Sequence, residues 1–286
     1  MSVRVRAGHG LGAALLALAA LWGIGALGWA TAMAVEAQRE LQNALAVAAR
    51  GLARGDAAAV WSLVGLSALY GVAHAAGPGH GKALLGAAAV AGVERPLGLA
   101  GLAVSAALVQ GLAAVAIVYG GLALLSLSPM AAMGADGRIF APIGYAAAGA
   151  FGLLFAWRGA QALSRGKAAC CGHGAHGDGH DHGRVHPHRW RERVALVVAV
   201  GARPCAGAMI VLAIAWMADA PWAGVAATGP MALGVAVVTA AVALGGVALR
   251  GASLVAAGGA QTARIAGGLQ IAAGGMLFAF AAVGLA

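Results

Sequence analysis

The chain has 286 residues, of which 62% are hydrophobic and 9% charged, with a mean hydropathy of +0.87. Soluble domains carry about 25% charged residues, so a water-soluble globular class is excluded and the length reads as membrane spans. The net charge of +9 is spread over connections between apolar runs, so the expected partner is the lipid bilayer and not nucleic acid.

A helix needs about 20 apolar residues to cross a bilayer. Seven apolar stretches qualify, at about 11–34, 60–93, 97–125, 140–157, 194–217, 231–249 and 265–286. The first follows a basic N-terminus and reads as an anchor; cleavage as a signal peptide near Ala30-Thr31-Ala32 is the alternative. Residues 36–59 are Ala-rich and mixed in charge, and read as an outer, interfacial amphipathic helix without an assigned function. The second stretch is longer than one span, and Gly77-Pro78-Gly79-His80-Gly81 interrupts its centre. Seven of the 18 Lys and Arg lie between Arg158 and Arg193, which places that segment in the cytoplasm. Counting spans outward from it puts Arg4, Arg6, Arg95, Arg250 and Arg264 on the same side. Residues 218–229, which hold no Lys or Arg, fall outside.

The fold class expected is therefore an all-α, polytopic bundle of about seven spans. The stretches at 60–93 and 194–217 both carry Pro-x-x-Gly within an apolar run, as Pro78 to Gly81 and Pro204 to Gly207. They cross in opposite directions, and three spans begin with each. This is the pattern of an inverted three-plus-three repeat, whose broken helices hold a substrate at the repeat interface. The organisation is an N-terminal anchor and outer segment (1–59), a first repeat (60–163), a cytoplasmic loop (164–193) and a second repeat (194–286).

Proline removes a backbone donor and glycine lets the chain leave helical geometry. Gly77, Pro78, Gly79, Gly81, Pro204 and Gly207 are thus the candidate irregular backbone. Polar groups inside a membrane are costly and are functional candidates. Here they are His74, His80, Lys82, Gln110, Arg203 and Cys205, and no carboxylate lies mid-span. A Gly-Pro-Gly break can fold the chain back so that His74 and His80 face one cavity. Imidazole with a thiolate from Cys205 suits nickel, cobalt, zinc or copper; magnesium would want oxygen ligands. Lys82 and Arg203 read as snorkelling cations near the cytoplasmic ends, or as charges that keep metal occupancy low.

Between the halves lies a glycine-rich run with Cys170, Cys171, His173, His176, Asp178, His180, Asp181, His182, His186 and His188. Such composition buries no core and reads as loose, multiple metal sites, since its spacing matches no tetrahedral zinc finger.

The string His74-Ala-Ala-Gly-Pro78-Gly79-His80-Gly81-Lys82 resembles the signature of the nickel/cobalt efflux branch of the nickel/cobalt transporter (NicO-type) family. Gly201-Ala-Arg-Pro204-Cys205-Ala-Gly207 is similar to its second segment, and the His-rich loop is similar too. Members of that family often carry a His near the position of Gln110 and a Pro where Ala206 stands. The resemblance covers about residues 60–286. It implies export of Ni²⁺ or Co²⁺ across a bacterial inner membrane.

No nucleotide-binding Gly-x-x-x-x-Gly-Lys-Ser/Thr run occurs, so coupling to an ion gradient, protons above all, is expected, with no cofactor. No His-Glu-x-x-His run occurs either, and no enzymatic activity is expected. Uptake of the same metals and export of small organic solutes are the alternatives. The Ala- and Gly-rich helices permit packing between protomers as readily as within one.

Overall fold

The computed structural model describes residues 25–77, 79–124, 126, 128, 131, 139–168, 188–257 and 261–286. Every element among them is helical: α1 (Ala26–Ala53), α2 (Ala58–Ala76), α3 (His80–Ala91), α4 (Pro96–Leu124), α5 (Ala141–Ala168), α6 (His188–Gly201), α7 (Ala206–Met217), α8 (Pro221–Ala257) and α9 (Thr262–Leu285). Among these, α2, α4, α8 and α9 are each long and apolar enough to cross a membrane. The pair α6 and α7 adds a fifth candidate, bent by 59° at its break. The chain is a polytopic helical membrane protein.

Local chemistry sets the helix boundaries. Gly55 takes a left-handed φ of 86° after α1, and Asp56 Oδ1 accepts from the Ala58 amide at 3.0 Å, which starts α2. Helices α4 and α8 open on Pro96 and Pro221, where a missing N–H costs nothing.

Three elements depart from the expected bounds. The outer segment is no separate interfacial helix. It continues α1 without a break, and Leu45, Ala48 and Ala49 bury one face of it in the core. These positions fall three and four apart and make one stripe. The stretch expected outside at 218–229 shrinks to a turn at Ala218–Ala220, because Asp219 adopts φ 56° and Pro221 restarts the helix at once. Helix α5 runs eleven residues beyond Trp157, and Arg158 meets Glu192 of α6 at 2.6 and 3.1 Å. The part of the anchor before Gly25, Pro78, and the loop residues 169–187 lie outside the described residues.

Helix α8 is the central strut, packed on α2, α3, α4, α7 and α9. At 37 residues it is about 56 Å long by the rise of an α-helix. Its crossing with α2 is close enough that Gly71 faces the Met231 carbonyl and Gly234 faces the Ala68 carbonyl, with no room for a side chain on either. Helices α5 and α9 pack the same way: a Cβ at Gly152 would lie 2.7 Å from Gly274 O. Small residues let helices approach where apolar burial gives no net drive. Among the described residues two large apolar clusters and a small one of Ala107, Ala232 and Ala236 result, of which the two large ones position the site. One gathers Leu45, Leu63, Tyr70, Cys205, Met209 and Leu212; the other gathers Leu84, Leu99, Phe155, Leu196 and Leu277.

This packing predicts a sharp contrast. Gly71→Ala should destabilise the detergent-purified protein by about 1–3 kcal/mol, because the helices must separate. Gly65→Ala on the same helix meets nothing within 4 Å and should be neutral or stabilising by up to about 1 kcal/mol. Thermal unfolding of both variants checks this; equal melting temperatures would refute the close crossing.

Candidate metal-handling site between two helix breaks

Two interruptions of the helical backbone meet inside the bundle. The first separates α2 from α3, where Gly77 ends one helix and Gly79, extended at φ −164° and ψ 140°, precedes the next. The second separates α6 from α7 across Ala202–Cys205. Gly81 and Gly207 fall within the first turns of the following helices rather than in the irregular backbone. Their role is clearance. A Cβ at Gly81 would lie 2.8 Å from Val200 Cγ1, and a Cβ at Gly207 would overlap the ring of Tyr70.

His74 stands in the last turn of α2. Its ring stacks on that of Tyr70 with centroids 5.8 Å apart and 14° between planes. Four residues on one helix place the two on one face. The Nδ1 of His74 is 3.2 Å from Gln38 Oε1 on α1, and Gln42 Nε2 donates to Tyr70 Oη at 3.0 Å. Cys205, 4% exposed, is the residue before α7; it packs in the same core cluster as Tyr70 and is an electrostatic neighbour of both Tyr70 and His74. As the N-cap residue, with no capping hydrogen bond from its side chain, it sits at the positive end of the α7 dipole. The two breaks therefore bring one imidazole and one thiol together in the core, ringed by a tyrosine and two glutamines.

His80 takes a different neighbourhood. It is the first residue of α3, 6% exposed, and its ring meets Tyr145 of α5 edge-on at 6.4 Å. Gly144 packs beside it: a Cβ there would lie 3.4 Å from His80 Cδ2 and Nε2, at van der Waals contact. Arg203 lies over the same Tyr145 ring at 5.7 Å. The expected cluster of His74, His80 and Cys205 is accordingly not assembled in this structure. Among the described residues no three His, Cys, Asp or Glu side chains converge on one point. The extended Gly79 carries His80 away toward α5, while Tyr70 and Gln38 hold His74 toward α7.

Lys82 does not snorkel. Its ammonium folds back onto the carbonyls of Ala75 and Gly77, where it satisfies acceptors that the end of α2 leaves open. It remains in electrostatic range of His74, as does Arg203. Gln110 lines a small pocket of about 10 Å³ on another side of Cys205, with Thr228 and Met231, which is room for about one water. Of the loop residues, Cys170, Cys171, His173, His176, Asp178, His180, Asp181, His182 and His186 lie outside the described residues; His188 is the first residue of α6. At that end, Arg158 pairs with Glu192 and Arg193 with Glu94, which ties α6 to α5 and to the α3–α4 connection.

Sequence reasoning missed Gln38, Gln42 and Tyr70. The available signals were the spacing of four between Gln38 and Gln42 and the matching spacing between Tyr70 and His74.

Residues 60–189 match the model of the NicO family, described as high-affinity nickel-transport protein. The matched region holds α2 to α5, with His74 and His80; Cys205 lies beyond it. No curated protein and no solved structure matches the chain.

The geometry predicts slow reaction at the buried thiol. With Cys170 and Cys171 replaced by serine, Cys205 should resist a water-soluble maleimide in the folded protein. Gly207→Ala, which displaces Tyr70 from the thiol, should speed labelling at least tenfold. Mass spectrometry of timed samples reads both rates; fast labelling of Cys205 with Gly207 unchanged would show that the site is open.

Proposed function

We propose, with the nickel-transport family match over residues 60–189 as premise, that this membrane protein moves Ni²⁺ or Co²⁺ across the bilayer, exporting it from the cytoplasm of a bacterial cell. The observation that carries the reading is the proximity of His74 to Cys205, one from each helix break, within electrostatic range of each other. Imidazole and thiolate are the donors that borderline divalent metals prefer over water. Irregular backbone inside a membrane is tolerated where it lines a polar passage, and here it lies beside both donors.

Cys205 must lose its proton to ligate, so binding the ion releases a proton into the site. Loss of the ion on the far side takes a proton back. That exchange couples metal movement to a proton gradient with no nucleotide. His80, beyond the first break, serves as the next donor when the helices shift, and Lys82 and Arg203 keep the dwell time short by repelling the cation. The His- and Cys-rich segment from Cys170 to His188 gathers ions at the cytoplasmic mouth. Its place on the side richest in Lys and Arg favours export. Uptake would use the same donors in the opposite order.

Cells expressing the chain should hold less nickel or cobalt after exposure than cells without it. Those expressing His74→Ala or Cys205→Ala should match the cells without it, at equal membrane levels of protein. Metal content by mass spectrometry decides. Higher metal in the expressing cells would turn the direction to uptake, and full transport by His74→Ala would sink the ligand assignment.

A further inference from the structure

The N-terminal helix α1 lies before the region that the nickel-transport family model matches, yet it reaches the site with two side chains. Gln38 meets His74 and Gln42 meets Tyr70. Ascending by four on α1 while descending by four on α2 makes two rungs of an antiparallel helix pair. The helix is held in place by its own apolar stripe, with Leu45 and Ala49 continuing the face that begins with Gln38 and Gln42. These rungs are therefore features of a docked helix and not contacts of a loose segment.

The first rung fixes more than position. An amide has one acceptor end and one donor end, and its neighbours decide which way it points. Gln38 Nε2 donates to the Ala34 carbonyl at 3.1 Å. Its oxygen is thereby the end that faces His74, and an oxygen can only accept. The His74 Nδ1 at 3.2 Å must then carry the proton. Neutral imidazole with Nδ1–H has its lone pair on Nε2, the form that ligates a metal or accepts from a thiol. The second rung works alike. Gln42 Nε2 donates to Tyr70 Oη, so that oxygen accepts there and its own proton can point at the Cys205 sulfur.

We propose that Gln38 is a positioning residue for metal binding: from outside the matched region it holds His74, the neighbour of Cys205, in the Nδ1–H tautomer, with Nε2 kept for the ion. This rests on the reading of His74 and Cys205 as ligands. Outer-shell acceptors of this kind change metal affinity roughly 10–100-fold when removed. A structural glutamine would act through volume and packing; a positioning glutamine acts through its acceptor oxygen, and two substitutions separate them. Gln38→Met keeps the length and the helix preference but has no strong acceptor. Gln38→Glu keeps an oxygen that accepts from Nδ1–H.

The test uses the purified full chain with Cys170, Cys171 and the six loop histidines replaced by alanine, titrated with Ni²⁺ alone. The thiolate-to-nickel charge-transfer absorption reads occupancy at Cys205. The parent should show the band, Gln38→Met should need roughly 10–100-fold more Ni²⁺ to reach half its intensity, and Gln38→Glu should titrate at or below the parent's concentration. A Gln38→Met curve that overlies the parent overturns the positioning role and leaves the ligand reading intact. Equal weakening in both variants also overturns it, because packing and not the acceptor would then matter. Absence of the band in the parent overturns the ligand reading itself, and this inference with it.

Discussion

A tyrosine ring lies where a side chain on residue 207 would have to be, and the candidate site is organised around that close approach. Tyr70 reaches the start of α7 only because Gly207 has no Cβ. Once there, its oxygen meets Cys205 and Gln42, and its face supports His74. The crossing of α2 with α8 at Gly71 and Gly234 sets the position of α2. Three glycines at two crossings thus do what apolar burial cannot do in lipid, where tails are as apolar as leucine. They bring helix axes near enough for short polar side chains to touch across them.

The polar groups so assembled satisfy one another. A buried polar atom without a partner costs about 1–3 kcal/mol, and no water reaches the hydrocarbon core to supply one. Gln38 with His74 and Gln42 with Tyr70 answer this by passing donors and acceptors between two helices, beside Cys205 at the second break. Lys82 answers it by folding onto the open carbonyls of its own break.

Much of this was legible in the residues, for a physical reason. Proline and glycine inside apolar runs announce irregular backbone, so the interruptions at Gly77–Gly79 and at Pro204 could be placed from sequence. Histidine and cysteine beside them are costly in lipid, which singled out His74 and Cys205. The rest depended on long-range packing. Residues 36–59 look like a mixed-charge outer segment, and only the docking of Leu45 and Ala49 reveals that Gln38 and Gln42 point inward. Tyr70 in an apolar run reads as one more core aromatic. His80 seemed to share a cavity with His74 because spacing cannot report which way an extended glycine sends the chain. The end of the turn at 218–220 was set by a left-handed Asp219, which nothing in the periodicity signals.

Nickel X-ray absorption on the purified chain, with the loop cysteines and histidines replaced, tests the central claim most directly. Ligation by His74 and Cys205 predicts a coordination sphere that contains one sulfur with imidazole nitrogen, and loss of the sulfur in Cys205→Ser. A shell of oxygen and nitrogen alone, unchanged by that substitution, would contradict it.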